Sequence, residues 1–245
     1  QEHWASLLSI PRDSVVTIPG FGESKVNAAY SNGYSNAEAI YGAGTAPDAG
    51  GAALAAETLE QFLGISIDYT VQIDFHGFER TVDTLGGLLI DVQNPVLDGE
   101  YPTDDYGYQR VYIPAGLQIV DGHTALIYAR TRHSSSDFER SKRQQQVLRA
   151  LLTQVRQRGL LENAALLPEW AGVLQENIRT TMPIRDFAFV NGLAMVARDL
   201  DAGTIAQYSI NPNDVGVVGE YGSDIYWNPE DVAILVQRWL NGPQG

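Results

Sequence analysis

Segments with the spacing of helices alternate with segments typical of strands along nearly all of the 245 residues, and this alternation limits the possible folds. Apolar residues at helical intervals predict helices over 51–63, 77–85, 121–128, 137–157, 166–178, 184–200 and 229–240. Alternating or β-branched runs predict strands within 4–18 and over 68–75, 88–92, 110–113, 204–210 and 224–227. We therefore expect an α/β fold with three layers, α/β/α, in which helices cover both faces of a central, mostly β sheet.

The organisation of the chain indicates one domain. No internal repeat, low-complexity run or linker interrupts it, so we expect residues 1–245 to form a single domain. The sequence starts with Gln1 rather than Met and enters a strand-like run almost at once. We therefore expect that the N-terminal part of this domain is missing. Apolar runs stay well below the roughly 20 residues that span a bilayer.

The charge of the chain is acidic overall but basic in one short stretch. A formal net charge of -14 and a pI of about 4.5 argue against the long positive surface that nucleic-acid binding requires. Yet eight of the 16 Lys and Arg residues lie between positions 130 and 158. Scattered cations would serve solubility equally well, so this concentration indicates a site for a small anion. The lack of cysteine excludes thiolate metal sites, disulfides and cysteine nucleophiles.

The predicted helix over 137–157 places polar residues on its core-facing row. Its apolar stripe consists of Val147, Leu148, Leu151 and Val155. At about 100° per residue, this stripe continues backwards through Gln144, Arg140 and Asp137. Burying an unpaired Arg is costly, and Asp137 is near enough to hold Arg140 through a charge-assisted hydrogen bond of about 1.5–3 kcal/mol. The alternative is a frayed first turn whose polar residues all reach solvent.

Two further arginines precede this helix. Arg130 and Arg132 are two positions apart, so in an extended backbone both point to the same side. Together with Arg140 at the start of the helix, they would form a cradle for a phosphate or pyrophosphate. The cations off this row are expected to be solvated, namely Lys142, Arg149, Arg156 and Arg158, whereas Arg143 is left open.

The other polar segments indicate structural roles rather than a catalytic or metal-binding site. The chain contains neither a phosphate-binding P-loop nor the nucleophile elbow of a serine hydrolase. Its four histidines are dispersed without the spacing of metal ligands, and we predict no metal site among these residues. Residues 94–107 are rich in Pro, Asp, Gly and Tyr and are expected to be a surface excursion. We expect its acidic residues to be solvated, namely Asp98, Glu100, Asp104 and Asp105.

An ordered series of short motifs runs from about residue 5 to residue 160. The first are Ser9-Ile10-Pro11-Arg12-Asp13, Ile18-Pro19-Gly20-Phe21-Gly22, Lys25-Val26-Asn27-Ala28-Ala29-Tyr30, Phe75-His76-Gly77-Phe78 and Val82-Asp83-Thr84-Leu85-Gly86-Gly87. The most specific are Ala129-Arg130-Thr131-Arg132-His133, Asp137-Phe138-Glu139-Arg140 and Arg143-Gln144-Gln145-Gln146. In type and order these motifs resemble the LytR-CpsA-Psr family of cell-wall glycopolymer ligases.

The resemblance implies a phosphotransferase that takes a glycopolymer phosphate, such as teichoic acid or capsule, from a polyprenyl-pyrophosphate carrier and attaches it to peptidoglycan. It implies that the pyrophosphate is bound by Arg12, Arg130, Arg132, Arg140 and Gln144. Among these, Arg130, Arg132 and Arg140 would act in catalysis, with Asp137 orienting Arg140. Lys25 and Asp13 are further candidates.

The resemblance also implies a cofactor and a location. A Mg²⁺ ion would bridge the pyrophosphate, with carboxylate ligands upstream of the Ser9–Asp13 motif and therefore outside this chain. The full-length protein would be anchored by an N-terminal membrane helix and face the cell envelope outside the cytoplasm, with no nucleic-acid partner. Two alternatives stay open: hydrolysis of the pyrophosphate at the same site, and a non-catalytic module that binds polyprenyl phosphate or glycan for regulation.

Overall fold

The computed structural model describes residues 4–103, 105–131, 137–158, 178–199 and 205–242. Its helices are α1 (Val26–Ser35), α2 (Ala37–Tyr41), α3 (Pro47–Leu63), α4 (Phe75–Thr84), α5 (Gly122–Arg130), α6 (Asp137–Gln157), α7 (Phe187–Asp199) and α8 (Pro229–Asn241). Its strands are β1 (Ser6–Ser9), β2 (Val15–Ile18), β3 (Gly22–Lys25), β4 (Val71–Ile73), β5 (Leu88–Val92), β6 (Val96–Pro102), β7 (Tyr108–Ile113), β8 (Gly116–Val120), β9 (Ile178–Thr180), β10 (Ala206–Ser209), β11 (Val217–Tyr221) and β12 (Asp224–Trp227). The predicted α/β class is confirmed, whereas the three-layer arrangement stays a prediction.

Elements with a continuous apolar pattern have the bounds that the sequence predicts. This holds for β5, α6 and β12. Helix α3 begins at Pro47, four residues before its predicted start, because proline is favourable in the first helical turn. It ends before Gly64, whose φ of 67° lies in the left-handed region that glycine adopts easily. The helix predicted over 166–178 lies outside the described residues except for Ile178, which begins β9.

The predicted surface excursion over 94–107 is wrong for much of its length. Strand β6 occupies 96–102 and pairs antiparallel with β7. The pairing register shifts between Asp98 and Tyr101, which is how the strand accommodates Gly99 and Glu100. Strand β4 is shorter than the predicted strand over 68–75, while α1, α2, β8 and β11 were not anticipated. Segments as short as most of these carry too little periodicity to predict.

The described residues fall into two compact units, and the flanking unit combines Ser6–Gln72 with Ala206–Gly245. Within it, β1 pairs in parallel with β10, whereas the pairs β2–β3 and β11–β12 are antiparallel. Its fully buried residues include Ile18, Leu54, Ile210 and Val215. The indole Nε1 of Trp227 donates a buried hydrogen bond of 2.8 Å to Ser14 Oγ, which links β12 to the start of β2.

Helices α1 and α3 of the flanking unit approach each other closely at Gly33 and Gly50. A Cβ added to Gly33 would lie 2.3 Å from the Gly50 carbonyl oxygen and 2.8 Å from Leu54 Cβ. Contacts of this length do not occur, and a backbone oxygen cannot rotate away as a flexible side chain could. Glycine is thus required at position 33 by packing.

We expect Gly33→Ala to lower the free energy of unfolding by about 1–3 kcal/mol through overpacking, although alanine has the higher helix propensity. Denaturant unfolding would measure the change. The matched control is Gly192→Ala in α7, where nothing lies within 4 Å of an added Cβ. That variant should be neutral or stabilised by up to about 1 kcal/mol. Equal effects of the two substitutions would contradict the close approach.

The middle unit consists of Ile73–Ile205 together with Gln1–Ala5. Two antiparallel strand pairs, β5–β8 and β6–β7, lie in it with helices α4, α5 and α6. They share one apolar core, in which the residues with the lowest exposure are Val82, Leu88, Ile90, Val92, Ala125 and Val147. Strand β5 shows the pattern of a half-buried strand, because Leu88, Ile90 and Val92 are buried while the residues between them are exposed.

The longest helix of the middle unit, α6, is rotated relative to the predicted phase. Val147 is buried as predicted and Leu151 packs against the core, but Leu148 is 49% exposed. The buried face runs through Arg143 rather than Gln144. Counting Leu148 as a core residue shifted the predicted face by one position. No described helix combines the length and apolar character that crossing a membrane requires.

Candidate anion-binding site in the middle unit

Helix α5 carries the first predicted arginine at its C-terminal end and is fixed at its N-terminal end. Asp121 is the N-cap, and its Oδ1 accepts a hydrogen bond of 2.8 Å from the Thr124 amide. Hydrogen bonding by Thr124 lowers the pKa of Asp121 below its usual value. Gly122 lies against α4, where an added Cβ would be 2.2 Å from the Glu79 carbonyl oxygen. This close packing fixes the helix that ends in Arg130.

The Arg130 guanidinium is held by uncharged groups. Its Nη1 donates a hydrogen bond of 3.2 Å to the Tyr101 hydroxyl. Its Cζ lies 3.8 Å from the ring centroid of Phe75 and 5.6 Å from that of Tyr101. None of the ion pairs among the described residues includes Arg130. Among the described residues, the positive charge is therefore oriented by neutral partners rather than by a carboxylate, which suits an anion-binding group.

Tyr101 lies on β6 and has lost almost all contact with solvent, since it is only 4% exposed. Burial raises the pKa of Tyr101 above its usual value, and the nearby Arg130 partly offsets this. The phenol therefore stays neutral at physiological pH, and its oxygen accepts the hydrogen bond from Arg130. Sequence reasoning missed Tyr101 because it lies in the stretch that was assigned to a loop.

Thr131, between the two predicted arginines, is buried against a carboxylate. Thr131 is 1% exposed and Asp98 is 2% exposed. The Thr131 hydroxyl donates to Asp98 Oδ2, and Asp98 Oδ1 accepts a second hydrogen bond of 3.0 Å from the Glu100 amide. The prediction that Asp98 belongs to a solvated loop is therefore wrong, because β6 turns this side chain inward. Thr131 has an extended backbone, with φ -55° and ψ 142°, but Arg130 is the last residue of α5. Because Arg132 lies outside the described residues, the predicted placement of the two arginines on one side stays a prediction.

Arg143, which the sequence left open, caps the C-terminal end of α5. Its Nε donates a hydrogen bond of 2.8 Å to the Tyr128 carbonyl, and its Nη2 donates one of 2.6 Å to the Thr131 carbonyl. The last carbonyls of a helix have no partner within the helix, so these contacts satisfy them. Arg143 is 9% exposed, and burial lowers its pKa below the ordinary value for arginine. Its contacts tie α6 to the end of α5.

The remaining predicted residues of α6 take different positions. Arg140 is 9% exposed, in agreement with its predicted inward direction. Gln144 is exposed, and its amide donates a hydrogen bond of 3.3 Å to the Ala129 carbonyl, so the predicted core-facing position of Gln144 is wrong. Arg132 and the side chain of Asp137 lie outside the described residues. The binding or catalytic roles predicted for Arg132, Asp137, Arg140 and Gln144 stay predictions.

Two further glutamines of α6 serve as polar links to the β5 region. Gln146 accepts a hydrogen bond of 2.8 Å from the Tyr128 hydroxyl and donates one of 2.7 Å to the Asp91 carbonyl. Gln154 donates one of 2.7 Å to the Leu85 carbonyl. Sequence reasoning missed both links. For Gln146, the signal was the run of three amide side chains directly after Arg143.

Three predicted residues belong to the flanking unit. The Arg12 side chain is 54% exposed, and its Nε lies 3.6 Å from Asp13 Oδ1. Lys25 Nζ lies 3.3 Å from Asp13 Oδ1 and 3.2 Å from Asp224 Oδ1. Hydrogen bonding to Asp224 raises the pKa of Lys25, with Asp13 acting in the same direction. Lys25 is thus largely neutralised by its neighbours, and the binding roles of Arg12, Asp13 and Lys25 stay predictions.

The described residues offer no metal-binding cluster. His123 Nδ1 lies 2.9 Å from Glu79 Oε1, and His76 Nδ1 lies 3.8 Å from Glu79 Oε2. Nevertheless, no group of three or more His, Asp or Glu residues in the described ranges is arranged to hold a metal ion. The part of the chain that is described therefore does not fit Mg²⁺, and the Mg²⁺ ion implied by the resemblance stays a prediction.

Several known proteins with similar sequence or structure carry names from cell-wall assembly. Polyisoprenyl-teichoic acid–peptidoglycan teichoic acid transferase TagT of Bacillus subtilis (strain 168) is 30% identical over 200 residues, which are 80% of this chain and 55% of TagT. The crystal structure of B. subtilis TagV superimposes with a TM-score of 0.66 at 27% identity, covering 98% of this chain and 84% of that one. A structure of TagT bound to LI-WTA gives a TM-score of 0.60 at 25% identity, covering 98% and 79%.

The likeness to a known family extends over almost the whole sequence. The chain spans about half the length of the curated relatives it matches, namely 55% of TagT and 50% of TagV. The model of the LytR_cpsA_psr family matches residues 1–234. The resemblance inferred from the short motifs is thereby confirmed, and the chain belongs to the LytR_cpsA_psr family.

Proposed function

We propose that this chain transfers a glycopolymer phosphate from a polyprenyl-pyrophosphate carrier to peptidoglycan. TagT is named for a polyisoprenyl-linked teichoic acid donor and a peptidoglycan acceptor, so we favour teichoic acid over a capsular polymer. We place the reaction in the cell envelope, on the outer side of the membrane that anchors the full-length protein. The observation that carries the proposal is the Arg130 guanidinium, which uncharged groups hold in place and no described carboxylate neutralises.

The charges of the middle unit favour an anionic donor at the end of α5. The chain has a net charge of -14, so most of its surface repels a pyrophosphate. Arg130 lies at the C-terminal end of α5, and Arg143 is bound to the Tyr128 and Thr131 carbonyls beside it. Arg140 and Arg143 are three positions apart on α6 and are both buried, so they lie on the same face of the helix. An anion bound here would be attracted by all three.

The proposed reaction asks the protein mainly to hold phosphates and neutralise charge. An acceptor hydroxyl oxygen bonds to the phosphorus that carries the glycan, the bond from that phosphorus to the oxygen bridging to the carrier phosphate breaks, and the hydroxyl proton passes to solvent. Polyprenyl phosphate leaves. Guanidinium donors on the phosphate oxygens stabilise the charge that develops on the leaving group. Holding the donor in one geometry supplies much of the remaining rate.

Binding of farnesyl pyrophosphate, a short polyprenyl pyrophosphate, tests the site. We expect Arg130→Gln to weaken binding by about tenfold or more, since a charge-assisted contact to phosphate is lost. Isothermal titration calorimetry in the presence of Mg²⁺ would measure the dissociation constant. The matched control is Arg110→Gln on β7, because Arg110 is an exposed arginine of the same unit. Unchanged binding by Arg130→Gln would remove Arg130 from the site.

A transfer assay separates the proposed activity from its alternatives. The full-length protein is incubated with a polyprenyl-pyrophosphate-linked teichoic acid precursor and Mg²⁺, with and without peptidoglycan. Attachment of the polymer to peptidoglycan supports the transferase. Release of the glycan phosphate to water at the same rate in both samples would instead identify a hydrolase. Tight binding without either product would identify a binding module and overturn the transferase.

A further inference from the structure

Arg130 is held between two aromatic side chains from different elements of the middle unit. We propose that Phe75 and Tyr101 form a neutral clamp that positions the Arg130 guanidinium for the pyrophosphate. Both act through Arg130 and are positioning residues rather than catalytic ones. The inference rests on the proposed function, because it concerns how the same site is prepared for its donor.

Phe75 supplies the exposed half of the clamp from α4. It is 53% exposed at the first residue of α4, although phenylalanine is usually buried. The backbone there is fixed, since Asp74 is the N-cap and its Oδ1 accepts a hydrogen bond of 2.6 Å from the Gly77 amide. The ring centroid lies 3.8 Å from Arg130 Cζ, within the range of a cation–π contact. Stacking on Arg130 accounts for an aromatic residue at this surface.

Tyr101 supplies the other half of the clamp from β6. Its ring centroid is 5.6 Å from Arg130 Cζ, and its hydroxyl accepts the 3.2 Å hydrogen bond from Nη1. Because Tyr101 is 4% exposed, the ring has little freedom to move. Tyr101 is therefore a rigid partner with a directed hydrogen bond, and Phe75 is a flat aromatic face at the surface. Together they restrict both the position and the tilt of the guanidinium plane.

Uncharged partners orient a cation without repelling its anionic ligand, whereas acidic partners would repel that ligand. Lys25 of the flanking unit shows the contrast, since Asp13 and Asp224 lie within 3.3 Å and 3.2 Å of its Nζ. A carboxylate at such a distance would repel a phosphate about as strongly as the cation attracts it. Aromatic rings and a phenol orient Arg130 without adding negative charge. The clamp thus orients Arg130 through neutral groups rather than through an ion pair.

Substitutions of the two aromatic residues test the clamp with inorganic pyrophosphate and farnesyl pyrophosphate as probes. We expect Phe75→Leu to weaken the binding of both probes by about fivefold, as an exposed cation–π contact is lost. Phe75→Tyr restores an aromatic face and should bind within about twofold of the parent chain. Tyr101→Phe keeps the buried ring but loses the hydroxyl, and should weaken binding by about threefold. Tyr108→Leu, at an aromatic residue of β7 that is 73% exposed, is the control and should have no effect.

Combining substitutions shows whether Phe75 acts through Arg130. In an Arg130→Gln background, Phe75→Leu should leave the dissociation constant unchanged, because nothing remains to position. If Phe75→Leu lowers the binding affinity equally in the parent chain and in Arg130→Gln, the clamp is overturned. A loss with farnesyl pyrophosphate alone also overturns it, because Phe75 would then contact the prenyl chain directly. If Arg130→Gln itself binds normally, the proposed function fails at this site; if only the Phe75 variants bind normally, the clamp alone fails.

Discussion

Arg143→Met is expected to lower the free energy of unfolding by about 3–5 kcal/mol, because it removes a buried charge that serves two backbone carbonyls. Arg143 donates hydrogen bonds of 2.8 Å to the Tyr128 carbonyl and 2.6 Å to the Thr131 carbonyl. Methionine fills a similar volume but donates nothing, so both oxygens lose a partner. Arg143→Lys replaces the planar guanidinium with one compact ammonium group. Its free energy of unfolding should lie between those of the parent chain and Arg143→Met.

Equilibrium unfolding in urea, followed by circular dichroism, measures this effect. The matched control is Lys142→Met on the same helix, where the Lys142 side chain is 72% exposed and pairs with Glu139 at 2.9 Å. A surface ion pair of this kind contributes about 0–1 kcal/mol, so the control should change little. If Arg143→Met unfolds at the same urea concentration as the control, the carbonyl contacts contribute nothing to stability.

Asp98→Ala is expected to cost about 2–3 kcal/mol of stability and to weaken pyrophosphate binding as well. The carboxylate accepts from the buried Thr131 hydroxyl and, at 3.0 Å, from the Glu100 amide. Without it, the buried Thr131 hydroxyl has lost this acceptor, and so has the Glu100 amide. Thr131 directly follows Arg130, so a looser Thr131 leaves the arginine less well placed for the phosphates.

Urea unfolding and the farnesyl pyrophosphate titration together measure the effect of Asp98→Ala. The control is Asp105→Asn near the tip of the same strand pair, because Asp105 is exposed and asparagine keeps an acceptor oxygen. Thr131→Val removes the other partner, and the double variant shows whether the two side chains interact. Additive losses in the double variant would show that the Asp98–Thr131 hydrogen bond contributes no coupling energy.

The sequence predicts elements of this fold well where an apolar pattern runs without interruption. Strand β5 alternates Leu88, Ile90 and Val92 with outward residues, and its predicted bounds are those of the structure. Strand β6 was missed because Pro, Asp and Gly are all unfavourable in strands. There, pairing with β7 and a shift of register override local preference. Stabilisation of β6 by pairing with another strand leaves no pattern in the sequence of β6 itself.

The candidate site could be predicted in part, because arginine spacing is a local property. The inward direction of Arg140 was anticipated, whereas Arg130 ends a helix rather than lying in the predicted extended segment. The partners that β6 supplies, Asp98 and Tyr101, were not anticipated, because only the folded chain brings them to the end of α5. An error of one helical position assigned Gln144 a place that Arg143 takes.

The pairing of β1 with β10 has a consequence for the order in which this protein folds during synthesis. β1 is made before Ile73–Ile205 of the middle unit, but its hydrogen-bonding partner at Ala206–Ser209 is made after it. The middle unit can therefore complete its own contacts before β10 is available to β1. Until then the unpaired edge of β1 must be kept from pairing with other chains.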